Sequence, residues 1–274
     1  MEWSQELWLL IKYLLLGLFQ GFTEPIPVSS SGHLVLLQHF LGIEIEGLSF
    51  EVMVNFASLF AVIAIYRFDL LKLVKGSARY VLYQDAQGKG DFRISFYLLL
   101  ATVPAVLAAL LFKDWIETEL KQLHVIAFAL LITGMALWLI RHLNGRKQDG
   151  DITLKDALLV GLAQTAALIP GISRSGATIV AAMGLGWRQE TALRFSFFLY
   201  IPISLGSGVL AISDIVQDPH FTALWIPYTI AFIGSFIASY VSLLWFMNIM
   251  RHGKLIYFAL YCWLAGLIVL SLLS

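Results

Sequence analysis

A polar, broken stretch lies inside an otherwise apolar part of this chain, at residues 17–42 (GLFQGFTEPIPVSSSGHLVLLQHFLG). Its middle carries Gln20, Glu24, three consecutive serines and a histidine. Pro25 and Pro27 interrupt any helix here, because proline lacks the backbone N–H and disfavours helical geometry at the residue before it. Polar groups and broken helices are costly in an apolar environment unless they line a cavity. The stretch therefore predicts two helices joined by a polar turn that faces a cavity.

The same pattern recurs 144 residues later (161 − 17 = 144), at residues 161–186 (GLAQTAALIPGISRSGATIVAAMGLG). Eight of the 26 aligned positions are identical, and they include the glutamine and the Ser-x-Ser-Gly of both turns. We interpret the match as an internal duplication within a single membrane domain, residues 1–274. One repeat then covers about 1–141 and the other about 151–274.

Composition places the chain in a membrane. Hydrophobic residues make up 59% of the 274 residues and charged residues 13%, with a mean hydropathy of +0.81. This balance predicts an all-α integral membrane protein, and a net charge of zero argues against a nucleic-acid partner. Four shorter apolar runs lie at 7–19, 33–41, 157–169 and 177–185, and each is too short to span a bilayer comfortably. They pair up around the two polar turns, which predicts re-entrant helix hairpins at 7–42 and 155–186. Six apolar runs are long enough to cross a bilayer core of about 30 Å; they lie at 50–66, 94–112, 123–140, 193–213, 224–250 and 255–273.

Loop charges predict the orientation of these spans, since cytoplasmic loops are enriched in Lys and Arg. The segments 67–93 and 141–155 are basic, whereas 113–122 is acidic overall and 214–223 has no Lys or Arg. This alternation predicts that both termini lie outside. Each half then holds one hairpin and three spans, an odd number, so the second repeat is inverted relative to the first. We expect the two hairpins to enter from opposite faces and their turns to meet near the midplane.

Gln20 and Glu24 stand four residues apart, so on a helix their side chains share one face. A carboxylate beside an amide oxygen is suited to a divalent cation, and a carboxylate also serves as a general base. The alternative is a hydrogen bond that only packs helices together. A charge in an apolar run is rarely structural, which favours a functional role for Glu24.

The first turn continues as Ser29-Ser30-Ser31-Gly32-His33. A serine becomes a nucleophile when a base takes its proton, and His33 lies three residues after Ser30. Serines before a helix are most often N-caps, and this interpretation applies to Ser29 and Ser31. A membrane-embedded histidine beside serines and a glutamate favours catalysis instead.

The second turn holds Arg174 among glycines and hydroxyl side chains. Gly171 and Gly176 let the backbone approach a ligand, and a helix that starts near Gly176 points its N–H groups at the turn. Arg174 adds a planar cation, so the turn suits an anion and phosphate in particular. The alternative, an arginine that reaches out to the membrane interface, does not suit a position between two apolar helices. Three hydroxyl donors lie in the same turn: Ser173, Ser175 and Thr178.

The motifs QGFTEPIPVSSSGH (residues 20–33) and PGISRSGAT (residues 170–178) resemble the two signature motifs of the undecaprenyl-diphosphate phosphatase family, the bacitracin-resistance type. The resemblance extends over the whole chain in length and span pattern. It implies a multi-pass enzyme of the bacterial inner membrane that hydrolyses undecaprenyl diphosphate to undecaprenyl phosphate and inorganic phosphate. Such an enzyme returns the lipid carrier to cell-wall synthesis and confers bacitracin resistance. The resemblance also implies dependence on Mg²⁺ or Ca²⁺ and an active site open to the outer face. Carried over by position, the functional residues are Gln20, Glu24, Ser29, Ser30, His33, Ser173, Arg174 and Thr178.

Our hypothesis assigns Ser30 as the nucleophile, with His33 or Glu24 as its base and Arg174 as the phosphate clamp. His33 as the nucleophile, forming a phosphohistidine, is the competing assignment. Gln20 and Glu24 are the predicted cation ligands. The predicted substrate-binding residues are Ser29, Gly171, Ser173, Ser175, Gly176 and Thr178.

The expected partners are a polyprenyl diphosphate lipid, membrane lipids and a second copy of the chain in a homodimer. A polyprenyl-phosphate transporter or flippase is the alternative function, because inverted repeats with midplane sites are typical of transporters.

Overall fold

The structure, a computed structural model, describes residues 2–42, 49–217 and 221–273. These segments are helical, with turns between the helices and two short 3-10 helices at Ala86–Gly88 and Asp149–Asp151. The α-helices of the described residues are α1 (Glu2–Thr23), α2 (Ser30–Leu41), α3 (Ser49–Tyr83), α4 (Lys89–Leu111), α5 (Lys113–Thr118), α6 (Leu123–Ile140), α7 (Leu154–Ala166), α8 (Arg174–Gly184), α9 (Gln189–Gln217), α10 (Phe221–Arg251) and α11 (Ile256–Leu273).

Six helical segments of the described chain are long and apolar enough to cross a membrane, which agrees with the predicted multi-pass membrane protein. Five of them, in α4, α6, α9, α10 and α11, coincide with predicted spans. The predicted span 50–66 lies in α3, which is not among the six, and α1 takes its place. Helix α3 does not end with the apolar run but continues into the basic segment 67–93, as one 35-residue helix that ends at Tyr83.

Helix α1 is longer than the apolar run at 7–19 predicts. Its 22 residues extend about 33 Å at 1.5 Å per residue. Good helix formers such as Glu and Gln flank the apolar run, so the helix continues past it on both sides. Helix α1 is therefore, by length and composition, long enough to cross a bilayer.

Two helix–turn–helix pairs stand where the sequence predicts them. Residues 24–29 join α1 to α2, and residues 167–173 join α7 to α8. Pro25 and Pro27 lie in the first turn and Pro170 in the second, as expected of residues that end helices.

Close helix contacts hold both pairs in place. Helix α1 packs along α10, and α7 packs along α4. A Cβ on Gly17 would collide with the backbone of Ala231 in α10. A Cβ on Gly161, the repeat counterpart of Gly17, would collide with the backbone of Ala101 in α4. Small residues at such contacts let membrane helices gain van der Waals packing, and here they fix the helix that precedes each turn.

Serine hydroxyls join α1, α3 and α10. The hydroxyl of Ser239 in α10 donates to the carbonyl oxygen of Gly21 over 2.8 Å, and its oxygen lies 2.7 Å from the hydroxyl of Ser58 in α3. Ser235 of α10 donates to the carbonyl oxygen of Val54 over 2.8 Å. Buried hydrogen bonds between helices restrict rotation of α1, and this sets the direction in which its polar end faces.

Candidate active site

The two polar turns contact each other directly. The backbone N–H of Gly171 donates to the hydroxyl oxygen of Ser29 over 3.0 Å. A Cβ on Gly32 would collide with the backbone of Gly171, so the two chains approach as closely as glycine permits. Gly171 has a φ of 98° and Ser29 a φ of 68°, conformations that L side chains rarely adopt. Segments 142 residues apart thus form one local structure.

Helix α6 supports the second turn through Thr133. The Thr133 hydroxyl donates to the carbonyl oxygen of Gly171 over 3.0 Å and accepts from the backbone N–H of Ser173 over 3.2 Å. Two buried backbone groups that lack a helical partner are thereby satisfied. Thr133 is not among the predicted site residues, and a hydroxyl inside the apolar run 123–140 is its signal in the sequence.

Glu24 joins the two turns. Its Oε1 accepts from Arg174 Nη2 over 2.5 Å, and its Oε2 accepts from the hydroxyl of Ser30. Gln20 Nε2 donates to the same Oε2 over 3.1 Å. The Glu24 side chain is only 7% exposed, so Arg174 balances its charge in place of water. Glu24 therefore lies between the predicted nucleophile and the predicted phosphate clamp.

The guanidinium of Arg174 is held in a fixed plane. It stacks on the ring of Tyr200, with Cζ 3.7 Å from the ring centroid. The Tyr200 hydroxyl oxygen lies 2.8 Å from the backbone oxygen of Asn55 and 2.5 Å from its side-chain oxygen, so its hydrogen is donated to Asn55. Tyr200 and Asn55 are not among the predicted site residues, since an aromatic or an amide within an apolar span gives no distinctive signal.

One nitrogen of the Arg174 guanidinium is available to bind a ligand. Its Nη1 is buried and has no hydrogen-bond partner among the described residues, whereas Nη2 donates to Glu24. A guanidinium carries five N–H donors, so an anion beside Nη1 would be bound without breaking the pair with Glu24.

A cavity of about 190 Å³ lies beside these side chains. Small-molecule pockets have volumes of roughly 300–1,000 Å³, so this cavity suits a small polar group better than a long apolar chain. Its polar lining includes Glu24, Ser30, Asn55, Gln164, Ser173 and Arg174.

The three serines of the first turn have different environments. Ser29 is buried, and although it stands at the N-cap position of α2 its hydroxyl makes no capping bond and accepts from Gly171 instead. Ser30 is half-buried, lines the cavity and donates its hydroxyl hydrogen to Glu24. Ser31 is exposed at the cavity rim. Ser30 is therefore the serine of this turn that combines access with a carboxylate partner.

His33 is engaged elsewhere. Its Nδ1 lies 2.8 Å from the carbonyl oxygen of Ser29, which only accepts, so Nδ1 carries the hydrogen. Its Nε2 lies 3.0 Å from the Tyr261 hydroxyl, and the two rings stack at 5.4 Å. The ring thus braces the first turn against α11. The carboxylate of Glu24, rather than His33, contacts the Ser30 hydroxyl.

Hydroxyls of the second turn stabilise the start of α8. The Ser173 hydroxyl accepts from the N–H of Gly176 over 3.0 Å, which is an N-cap bond. The Thr178 hydroxyl donates to the carbonyl oxygen of Arg174 over 3.0 Å and lies 2.6 Å from the hydroxyl of Ser196 in α9. These bonds fix the end of the helix from which Arg174 projects.

The predicted substrate-binding residues divide into two groups. Ser29 and Ser173 are among the described residues that line the cavity. Four others build the turn and the first turns of α8 and are not part of that described lining: Gly171, Ser175, Gly176 and Thr178.

Gln20 and Glu24 do not fit a cation site held by the protein. Both Glu24 oxygens already accept hydrogen bonds, and one of them is paired with Arg174. Gln20 presents its amide nitrogen, not its oxygen, to Glu24. Across residues 2–42, 49–217 and 221–273, no three His, Cys, Asp or Glu side chains come together as a metal site. One carboxylate already neutralised by a guanidinium is a poor ligand set for a hard divalent cation.

Comparisons with known proteins agree with the motifs. The chain is 57% identical over 269 residues to "Undecaprenyl-diphosphatase 2" of Bacillus thuringiensis, a match that covers 98% of this chain and 100% of that protein. It is 57% identical over 262 residues to "Undecaprenyl-diphosphatase 1" of Bacillus licheniformis, covering 95% and 97%. It is 53% identical over 271 residues to "Undecaprenyl-diphosphatase" of Oceanobacillus iheyensis, covering 98% of both.

The family comparison covers nearly the same range. A family model described as "Bacitracin resistance protein BacA" matches residues 13–268, which include both polar turns and every predicted site residue. The chain therefore belongs to the BacA family of bacitracin resistance proteins.

Proposed function

We propose that this chain hydrolyses undecaprenyl diphosphate to undecaprenyl phosphate and inorganic phosphate. It thereby returns the lipid carrier to cell-wall synthesis and confers resistance to bacitracin. Relatives 53–57% identical over nearly the whole chain bear the name undecaprenyl-diphosphatase. The observation that carries the proposal is the arrangement of Glu24, which contacts a serine hydroxyl on one side and an arginine on the other, beside a small polar cavity.

In the proposed reaction Ser30 Oγ attacks the terminal phosphorus, and its proton passes to Glu24 Oε2. The bond between that phosphorus and the bridging oxygen breaks, and its electron pair leaves with undecaprenyl phosphate. Water then attacks the phosphorus of the phosphoserine, and the bond from that phosphorus to Ser30 Oγ breaks as Glu24 returns its proton to this oxygen. Inorganic phosphate leaves as H₂PO₄⁻, which carries both hydrogens of the water. Glu24 rather than His33 is the base in this proposal, because it already accepts the hydrogen of the Ser30 hydroxyl.

Arg174 stabilises the phosphoryl group during transfer. Charge on the phosphoryl oxygens is held by Nη1, the buried Arg174 donor that has no partner among the described residues. The stacked Tyr200 ring keeps the fork in place, so little reorganisation is needed when the substrate enters. Phosphoryl transfer depends chiefly on such positioning and charge stabilisation.

The dependence on Mg²⁺ or Ca²⁺ remains a proposal, and the cation is the substrate's rather than the protein's. Gln20 and Glu24 do not form a cation site of their own, as described above, whereas a diphosphate offers several charged oxygens. No step of the proposed reaction requires a cation held by these two residues.

We also propose the inverted repeat with two re-entrant hairpins whose turns meet within the bilayer. Two helix contacts support it: α1 packs along α10, and α7 packs along α4. Helices α7 and α10 are the second-repeat counterparts of α1 and α4. A two-fold axis that interchanges the repeats would therefore convert the α1–α10 contact into the α7–α4 contact. Such an axis in the membrane plane is typical of inverted repeats. In the first hairpin, the 22-residue helix α1 pairs with the 12-residue helix α2.

The remaining parts of the proposal concern location and assembly. The protein lies in the bacterial inner membrane, with the active site facing the outer side and both termini outside, as the loop charges predict. A homodimer stays a prediction.

A transporter or flippase is the second candidate function. The equivalence of the α1–α10 and α7–α4 contacts favours it, because inverted repeats related by a two-fold axis are typical of transporters. Transport, unlike hydrolysis, does not require a nucleophile and a phosphate clamp, the roles that Ser30 and Arg174 have in our proposal. The test is phosphate release from undecaprenyl diphosphate by the purified protein in detergent, with and without a chelator. Release without any bilayer supports the hydrolase. Transfer of the lipid across a vesicle membrane without phosphate release would contradict the hydrolase function and support the transporter function.

A further inference from the structure

Gln164 has an unusual environment for a buried polar side chain. It lies near the end of α7, is 2% exposed, and lines the same cavity as Glu24 and Arg174. Neither its amide nitrogen nor its amide oxygen has a hydrogen-bond partner among the described residues. Buried amides are nearly always hydrogen-bonded, because an unpaired one loses its water without compensation. An unpaired amide beside a polar cavity therefore points to a ligand as its partner.

The internal repeat explains why this amide is free. Gln164 is the counterpart of Gln20 (20 + 144 = 164), whose amide nitrogen donates to Glu24 one helical turn later. The position equivalent to Glu24 is Leu168, whose side chain has no hydrogen-bond acceptor. One glutamine is thus bound within its own hairpin, and the other is left facing the cavity.

The neighbours of Gln164 indicate the chemistry of the ligand. Arg174 Nη1 is a second buried donor without a partner, and it belongs to the same cavity. Two unpaired groups able to donate, one of them cationic, suit an anion with several acceptor oxygens. We infer that Gln164 is a substrate-binding residue that donates its amide N–H to a phosphoryl oxygen of the diphosphate, alongside Arg174. This inference rests on the proposed diphosphatase function and adds a residue outside both sequence motifs.

The test replaces Gln164 with methionine, which has a similar length and no N–H. Because the amide has no partner within the described protein, Gln164→Met should leave the Tm of the ligand-free protein in detergent unchanged or raise it. The same variant should raise the KM for undecaprenyl diphosphate about tenfold or more, as expected for a lost bond to a charged group. Its affinity for inorganic pyrophosphate should fall by a similar factor. Thr165→Val is the matched control, since Thr165 follows Gln164 on α7 and is not part of the described cavity lining.

Gln164→Glu provides a second variant of nearly the same shape, whose carboxylate repels phosphate, and it should weaken pyrophosphate binding further. A lowered Tm in Gln164→Met together with unchanged KM and pyrophosphate affinity would make Gln164 structural and overturn the inference. The pyrophosphate measurement also separates the two proposals. If the wild type binds pyrophosphate through Gln164 but releases no phosphate from the lipid, the proposed function fails and the binding role stands.

Discussion

Ser30 and Arg174 occupy the same position in the two copies of the repeat, and both bond to the carboxylate of Glu24. Each is the first residue of the second helix of its pair, α2 or α8. The carboxylate comes from the first copy only, since Leu168 stands at the equivalent position of the second. In our proposal the duplicated turn has therefore diverged into two roles, one turn supplying the nucleophile and its base and the other the anion clamp.

The planar guanidinium geometry of Arg174 should contribute more to kcat than its positive charge alone. Arg174→Lys keeps a cation but loses the stacking on Tyr200 and the second donor nitrogen. We expect kcat to fall about 100-fold, the effect of losing roughly 3 kcal/mol of transition-state stabilisation. Arg141→Lys is the control, because Arg141 also stacks on an aromatic ring, that of Trp138, but lies away from the turns. Near-normal turnover of Arg174→Lys in a folded protein would reduce Arg174 to a structural role.

Tyr200 should act through Arg174. Tyr200→Leu removes the ring beneath the guanidinium, and we expect kcat to fall about tenfold, since a desolvated cation–π contact contributes roughly 1–2 kcal/mol. Tyr200→Phe keeps the ring and loses the bond to Asn55, so its loss should be smaller. Steady-state turnover of the two variants checks this order. Equal losses would mean that the hydroxyl, and not the ring, positions Arg174.

The cation dependence should not involve Gln20. Gln20→Glu adds a second carboxylate one helical turn from Glu24, and a carboxylate is a stronger ligand for a hard cation than an amide. Because Glu24 is already paired with Arg174, we expect the same metal concentration for half-maximal activity in the variant and the wild type. A titration with Mg²⁺ and with Ca²⁺ measures this value. A shift to lower metal concentration would show that these two residues hold the cation.

The orientation is testable with single cysteines. Gln5→Cys near the start of α1 should react with an impermeant thiol reagent added to intact cells, and Gln87→Cys in the loop between α3 and α4 should not. The native Cys262 is buried, so its background labelling should be low. Labelling of Gln87→Cys from outside would reverse the predicted topology.

Features that depend on local sequence were predictable. The breaks at Pro25 and Pro170, the paired turns and five of the six spans follow from residue type and apolar length. The length of α1 and the continuation of α3 were not, because polar residues that form good helices extend both beyond their apolar runs.

The site shows the same division. The motifs identify Glu24, Ser30 and Arg174, whose side chains converge. They do not reveal the supporting residues Thr133 and Tyr200, since those lie in apolar spans and gain their roles from helix packing across the molecule. His33 illustrates the converse. Its spacing from the serine suggested a base, but the helical backbone turns its ring toward Tyr261.

The central claim is that Ser30 attacks the phosphate with Glu24 as its base. Ser30→Ala should abolish turnover yet still bind the diphosphate, because the clamp lies on the other turn, while Ser31→Ala should remain active. The most direct measurement is rapid acid quenching of the wild type with undecaprenyl diphosphate radiolabelled on the terminal phosphate. The account predicts acid-stable phosphoserine at Ser30, absent from Ser30→Ala. Acid-labile, base-stable phosphate on the wild type would contradict it and assign the nucleophile to His33.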